Sequence, residues 1–169
     1  QSMRTLIARF SSNRMVSDYL NDYYIPAAQR SHELREKHKA LAKRIASWKQ
    51  GVNGRFNSLK MEDILIQGLS GEELVGSQPM QVQVSILPGA MKPEELLVQF
   101  VVGPGSGQVF TDAPDVVELS RTDESKPDRL VYACSYSPSR SGPHIYGVRV
   151  LPVTPGLASP LETRLVLWG

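Results

Sequence analysis

Proline is concentrated on one side of this chain. Of its 12 prolines, only Pro26 precedes residue 61. Proline has no amide proton and a fixed φ, so it interrupts helices and sheet interiors and settles in turns. The first third can therefore be helical, and the rest must be built from short elements between turns. Charge divides at the same place. Residues 1–60 carry 12 Lys/Arg and 4 Asp/Glu, giving +8, while residues 61–169 carry 7 and 13, giving −6. The formal net charge of +2 hides two parts with different physics. With 41% apolar and 21% charged residues the chain should fold, and 169 residues suffice for one core with an appendage.

The basic part has helical periodicity. Met3, Leu6, Ile7 and Phe10 fall on one stripe. Ser11 and Ser12 are candidate caps for a second helix whose apolar stripe is Met15, Val16, Tyr19, Leu20 and Tyr23. Pro26 should stop that helix and bias Ile25 toward extended geometry. A third helix is expected from about Ala27 to Lys49, with a narrow seam of Leu34, Leu41, Ile45 and Trp48 and with Gly51 as its C-cap.

From residue 59 the period changes. Met80, Val82, Val84 and Ile86 alternate with Gln81, Gln83 and Ser85, as in a half-buried strand. Ile64–Gln67, Leu96–Val102, Val116–Ser120, Arg129–Ser137, Ile145–Leu151 and Thr163–Trp168 are further candidates. Turn signals separate them, such as Pro88-Gly89, Gly103-Pro104-Gly105, Lys126-Pro127-Asp128, Ser141-Gly142-Pro143 and Pro155-Gly156. The pattern predicts an α+β, mainly β chain: a helical segment over residues 1–56, then an antiparallel immunoglobulin-like β-sandwich over residues 57–169.

Chemistry-bearing motifs are sparse. His32 and His38 lie about 240° apart around a helix, so they cannot share a ligand face. His144 has no neighbouring Cys or His, and the single Cys134 allows neither an internal disulfide nor a cysteine-based zinc site, so no metal site is expected. There is no Gly-x-Ser-x-Gly elbow. Gly103-Pro104-Gly105-Ser106-Gly107 lacks phosphate-loop spacing and a following helix, and reads as a strand connection. Glu72-Glu73 and Glu94-Glu95 read as solvated turns. The basic residues of the third helix are spread around it and interrupted by Glu33 and Glu36, which argues against nucleic acid. Trp48 and Trp168 have faces suited to the C–H side of a pyranose, but each sits where a core or interface aromatic would sit. No apolar run is long enough for a membrane helix, and Gln1-Ser2-Met3-Arg4 lacks a signal-peptide layout. A cytoplasmic location is expected.

A family resemblance adds to this. Arg9-Phe10-Ser11-Ser12-Asn13-Arg14-Met15-Val16, then Tyr19 and Tyr23-Tyr24-Ile25-Pro26-Ala27, resembles the closing segment of the C-terminal lobe of bacterial α-glucan (glycogen/maltodextrin) phosphorylases. Ala46-Ser47-Trp48-Lys49, Glu73-Leu74-Val75-Gly76, Leu87-Pro88-Gly89 with Lys92-Pro93-Glu94-Glu95, Ser141-Gly142, Tyr146–Pro152 and Leu167-Trp168-Gly169 resemble the β-domain that follows in the short-form branch. Phe56 stands where a tryptophan would be expected. The resemblance implies a parent enzyme that uses pyridoxal phosphate to transfer glucosyl units from α-1,4-glucan to phosphate, giving glucose 1-phosphate. The cofactor lysine of that family lies in a Gly/Ser/Thr-rich, Asn-Met-Lys-like motif. None of Lys37, Lys39, Lys43, Lys49, Lys60, Lys92 and Lys126 stands in one.

The chain therefore reads as a noncatalytic C-terminal fragment with no catalytic residue, no cofactor site and no activity alone. Met15, Tyr19 and Tyr23 are the residues expected to pack on the upstream phosphorylase lobes. A carbohydrate-binding sandwich that contacts α-glucan, and a protein-interaction module, are the alternatives. Self-association through the uncovered helical stripe is expected, as is the absence of nucleic-acid and membrane partners.

Overall fold

The computed structural model describes residues 12–67, 79–139 and 143–169. The Met3–Phe10 stripe, the Ser11 cap, the Glu72-Glu73 pair and the Ser141-Gly142 turn lie outside the described residues. The chain divides into two compact units, Gln1–Ser47 and Trp48–Gly169.

In the first unit, helix α1 covers Ser12–Tyr19 and a π-helical turn covers Leu20–Tyr24. Helix α2 begins at Ile25 and runs to Phe56. Pro26 does not end the helical path, contrary to the sequence expectation. Ile25 keeps α-helical angles (φ −65°, ψ −50°), and its amide bonds Leu20 O, five residues back. In an α-helix a proline ring meets the carbonyl four residues earlier; the wider π turn shifts that carbonyl aside. The single third helix needs a second correction. Glu36 is extended (ψ 158°), and Lys37, His38 and Lys39 have positive φ of 46°, 56° and 62°, so α2 is two helical stretches across a break. Nor does α2 end at Lys49: Gly51 lies inside it.

The end of α2 belongs to the second unit. Val52 and Phe56 are 2% and 7% exposed and sit in the β core. Ser58, just past the helix, donates its hydroxyl to Arg55 O (2.6 Å) and accepts the Ala90 amide (2.8 Å). The Gly89 turn folds closely against it: a Cβ on Gly89 (φ +54°) would fall 2.3 Å from Ser58 Oγ.

Two antiparallel sheets follow. Strands β1 (Lys60–Gln67), β2 (Met80–Leu87), β7 (Leu130–Tyr136) and β6 (Ser120–Arg121) form one, in the order β1-β2-β7-β6. Strands β4 (Val109–Phe110), β3 (Leu96–Ser106), β8 (His144–Pro152) and β9 (Leu167–Trp168) form the other, with β5 (Asp115–Glu118) also paired to β3. The expected strand over Val116–Ser120 splits at buried Leu119, where the chain crosses from one sheet to the other. In place of a strand over Thr163–Trp168, Pro160–Thr163 is a 3₁₀ turn capped by Ser159, and only Leu167–Trp168 pairs. Val82, Val84 and Ile86 from the first sheet meet Val98, Phe100, Val102, Val148 and Val150 from the second, all 1% exposed or less. This is a mainly β, sandwich-like unit whose buried face reads straight from the period-2 pattern.

Candidate interaction surfaces

The helical apolar face carries the sequence-predicted packing residues. Met15, Tyr19 and Tyr23 are 55%, 52% and 65% exposed, and Val16, Leu20, Tyr24 and Ile25 are exposed beside them. The Tyr19 and Tyr23 rings meet at a tilt of 42° with centroids 5.7 Å apart. Within the second unit, a different cluster holds the end of α2. Trp48 Nε1 donates to Glu95 Oε1 at 2.7 Å, and Arg55 Nη2 donates to the same oxygen at 3.0 Å. Arg55 Nη1 and the Lys92 amide donate to Glu95 Oε2. Glu95 is thus not a solvated turn carboxylate: its side chain is 12% exposed and fully engaged. Burial alone would raise its pKa, but the hydrogen bonds from Arg55, Trp48 and the Lys92 amide outweigh that and hold it below the ordinary carboxylate range. Sequence reading missed this node because its partners lie 40 and 47 residues away. Lys49 adds a 2.6 Å bond to Glu162 nearby.

The other candidates resolve into ordinary structure. Gly103–Gly107 ends β3 and turns into β4, with Gly105 opposite Phe110 and Ser106 opposite Val109. His32 pairs with Glu36 at 3.1 Å on the exposed helix surface, and His38 lies in the helix break. Among the described residues no group of three or more His, Cys, Asp or Glu is placed to hold a metal ion, and no helix is long and apolar enough to cross a membrane. Cys134 is half-buried on β7, and burial pushes its thiol pKa up, away from nucleophilic reactivity. Trp48 spends its indole N–H on Glu95 and is half-buried, whereas Trp168 is 56% exposed. Tyr146, also exposed, shares the inner face of β8 with Val148 and Val150 and lies tilted against Phe100 (5.9 Å between ring centroids) beside an open groove of about 510 Å³. Trp168 stands opposite Arg149 on the outer face, so these two aromatics do not form a line on one face.

A Schiff-base lysine needs a buried site that lowers its pKa. Lys37, Lys39, Lys43, Lys60, Lys92 and Lys126 are exposed, and Lys49 is held in its ion pair with Glu162. The lysines of this chain do not fit a pyridoxal phosphate site.

The described residues thus define a β-sandwich module with a helical arm. Residues 57–169 match the family described as glycogen phosphorylase C-terminal domain, and the chain belongs to that family. It is 30% identical over 98% of its length to a glycogen phosphorylase of Mycobacterium bovis and 29% identical over 98% to one of Mycobacterium tuberculosis. It is 23% identical over 99% of its length to a maltodextrin phosphorylase of Thermococcus litoralis. The chain spans 19% of the length of each of these relatives.

Proposed function

We propose that this chain is the noncatalytic C-terminal region of an α-glucan phosphorylase. The complete enzyme would transfer glucosyl units from α-1,4-glucan to phosphate, giving glucose 1-phosphate, with pyridoxal phosphate bound by its upstream lobes. The observation that carries the reading is the family match over residues 57–169. In this reading residues 1–56 close the upstream lobe and connect it to the sandwich domain of residues 57–169. Met15, Tyr19 and Tyr23 pack on the upstream lobes: exposed apolar stripes of this size are rarely left in water, which supports a covering partner. The proposed setting is the cytoplasm, which suits a lone cysteine with no disulfide partner in the chain.

The test is an assay of this chain with added pyridoxal phosphate, inorganic phosphate and maltodextrin. No glucose 1-phosphate should form, and its release would overturn the noncatalytic assignment. The reading frame upstream of Gln1 supplies the second test: a frame without a phosphorylase-type cofactor lysine motif would remove the parent enzyme.

A further inference from the structure

Four side chains stand in register across the outer face of the second sheet. Glu118 on β5 is opposite Gln99 on β3, Gln99 is opposite Arg149 on β8, and Arg149 is opposite Trp168 on β9. Directly opposed residues on antiparallel strands share a face, and strands lie ~4.8 Å apart, so the row is ~14 Å long. It faces away from the core, because Phe100, Val148 and Val150, next in sequence to its members, are completely buried.

Three of the four side chains are pre-ordered. Arg149 Nε donates to Gln99 Oε1 at 2.9 Å, and the Arg149 guanidinium lies 5.7 Å from the Trp168 ring centroid, within cation–π range. The indole rests against β8: a Cβ built on Gly147 would lie 3.6 Å from the ring atoms Cε3 and Cζ3. With 56% of Trp168 in solvent, the ring is supported by the strand and still offers open aromatic surface.

The chemistry selects the occupant. A carboxylate, a carboxamide and a guanidinium present donors and acceptors in a line, and an aromatic plate closes one end. Glu118 and Arg149 balance in charge, so the row has no cationic surplus to attract a polyanion such as nucleic acid. The row's own side chains are polar along most of its length, whereas a protein partner would favour an apolar centre; the apolar side chains on the same face, Val101, Val116 and Leu151, flank the row rather than interrupt it. A neutral, hydroxyl-rich chain with apolar ring faces matches both features.

We propose that Glu118, Gln99, Arg149 and Trp168 form a surface site for an α-1,4-linked glucan chain. Trp168 stacks on one pyranose ring, and the three polar side chains hydrogen-bond the hydroxyls of rings laid along the row. Only the choice of α-linkage rests on the proposed phosphorylase function.

The experiment titrates the full chain with maltoheptaose and follows the two indole N–H signals by NMR. The Trp168 signal should move and that of Trp48, bonded to Glu95, should stay. Trp168→Ala should weaken binding about tenfold or more, Trp168→Phe should retain most of it, and Arg149→Gln should lower it while keeping the stacking plate. Spectral dispersion checks that each variant is folded. An unmoved Trp168 signal, or unchanged binding by a folded Trp168→Ala chain, would overturn the site. An equal response to cellohexaose would overturn the α-linkage and leave the phosphorylase assignment untouched. Acrylamide quenching offers the protein-contact outcome. If Trp168 is no more quenchable than Trp48 in a chain that includes the upstream lobes, protein covers the row and the proposal fails.

Discussion

Arg55 holds Glu95 with both terminal nitrogens, one on each carboxylate oxygen, and so clamps the last turn of α2 to the residue preceding β3. The indole of Trp48 and the Lys92 amide complete the shell. Removing the carboxylate would strand a guanidinium and an indole N–H. Glu95→Ala should destabilise the chain by about 2 kcal/mol in urea unfolding, more than truncation of an exposed glutamate.

The same node has a pH signature. The Glu95 pKa is lowered in the fold, so its stabilisation is present above the unfolded carboxylate pKa. It is lost as pH falls through the folded value, because the unfolded state takes up the proton first. Unfolding midpoints followed downward from neutral pH should fall more steeply for the wild type than for Glu95→Gln. Parallel curves would remove Glu95 from the acid response.

Phe56 and Val52 make the end of α2 part of the sandwich core. Phe56→Ala should cost about 3 kcal/mol, as expected for a large core truncation. Residues 57–169 alone should melt below residues 48–169 in a thermal scan. Equal melting would place the helix end outside the cooperative unit.

Much of this was legible in the sequence. The alternation over Met80–Ile86 became β2, with Met80, Val82, Val84 and Ile86 all buried. The helical spacing of Met15, Tyr19 and Tyr23 places them together on an exposed helical surface. What stayed hidden was either too short or too distant. Strands β4 and β6 have two residues each, and a period cannot be read from two positions. The Glu95 node and the Gln99–Arg149 row join residues 40 to 50 apart, which local pattern does not encode. The break at Glu36–Lys39 carries no Gly or Pro, and its residues have ordinary helix propensity, so nothing local announced it.

Tyr132 offers a stabilising change. Its ring is 4% exposed, and its hydroxyl has no hydrogen-bond partner. Burial raises its pKa, with only a partial opposing pull from Arg121. Tyr132→Phe removes an unsatisfied polar atom and should gain about 1 kcal/mol in chemical denaturation. A loss of stability would reveal a bond the hydroxyl makes in solution.

The helical stripe should govern association. Light scattering should show the apparent mass rising with concentration for the wild type, and a Tyr19→Ser, Tyr23→Ser double variant should remain closer to monomer. Identical profiles would show that the stripe does not drive association.

The break in α2 also changes the electrostatics of the basic arm. A continuous helix of 32 residues would act as one long macrodipole; the break leaves two short ones, each felt only within its terminal turn. The stretch ending before Glu36 turns its partial negative end toward Lys37, His38 and Lys39, while the stretch that follows presents its partial positive end to the same residues. The trio is therefore attracted backward and repelled forward, a polarity that an unbroken helix would not impose on its middle.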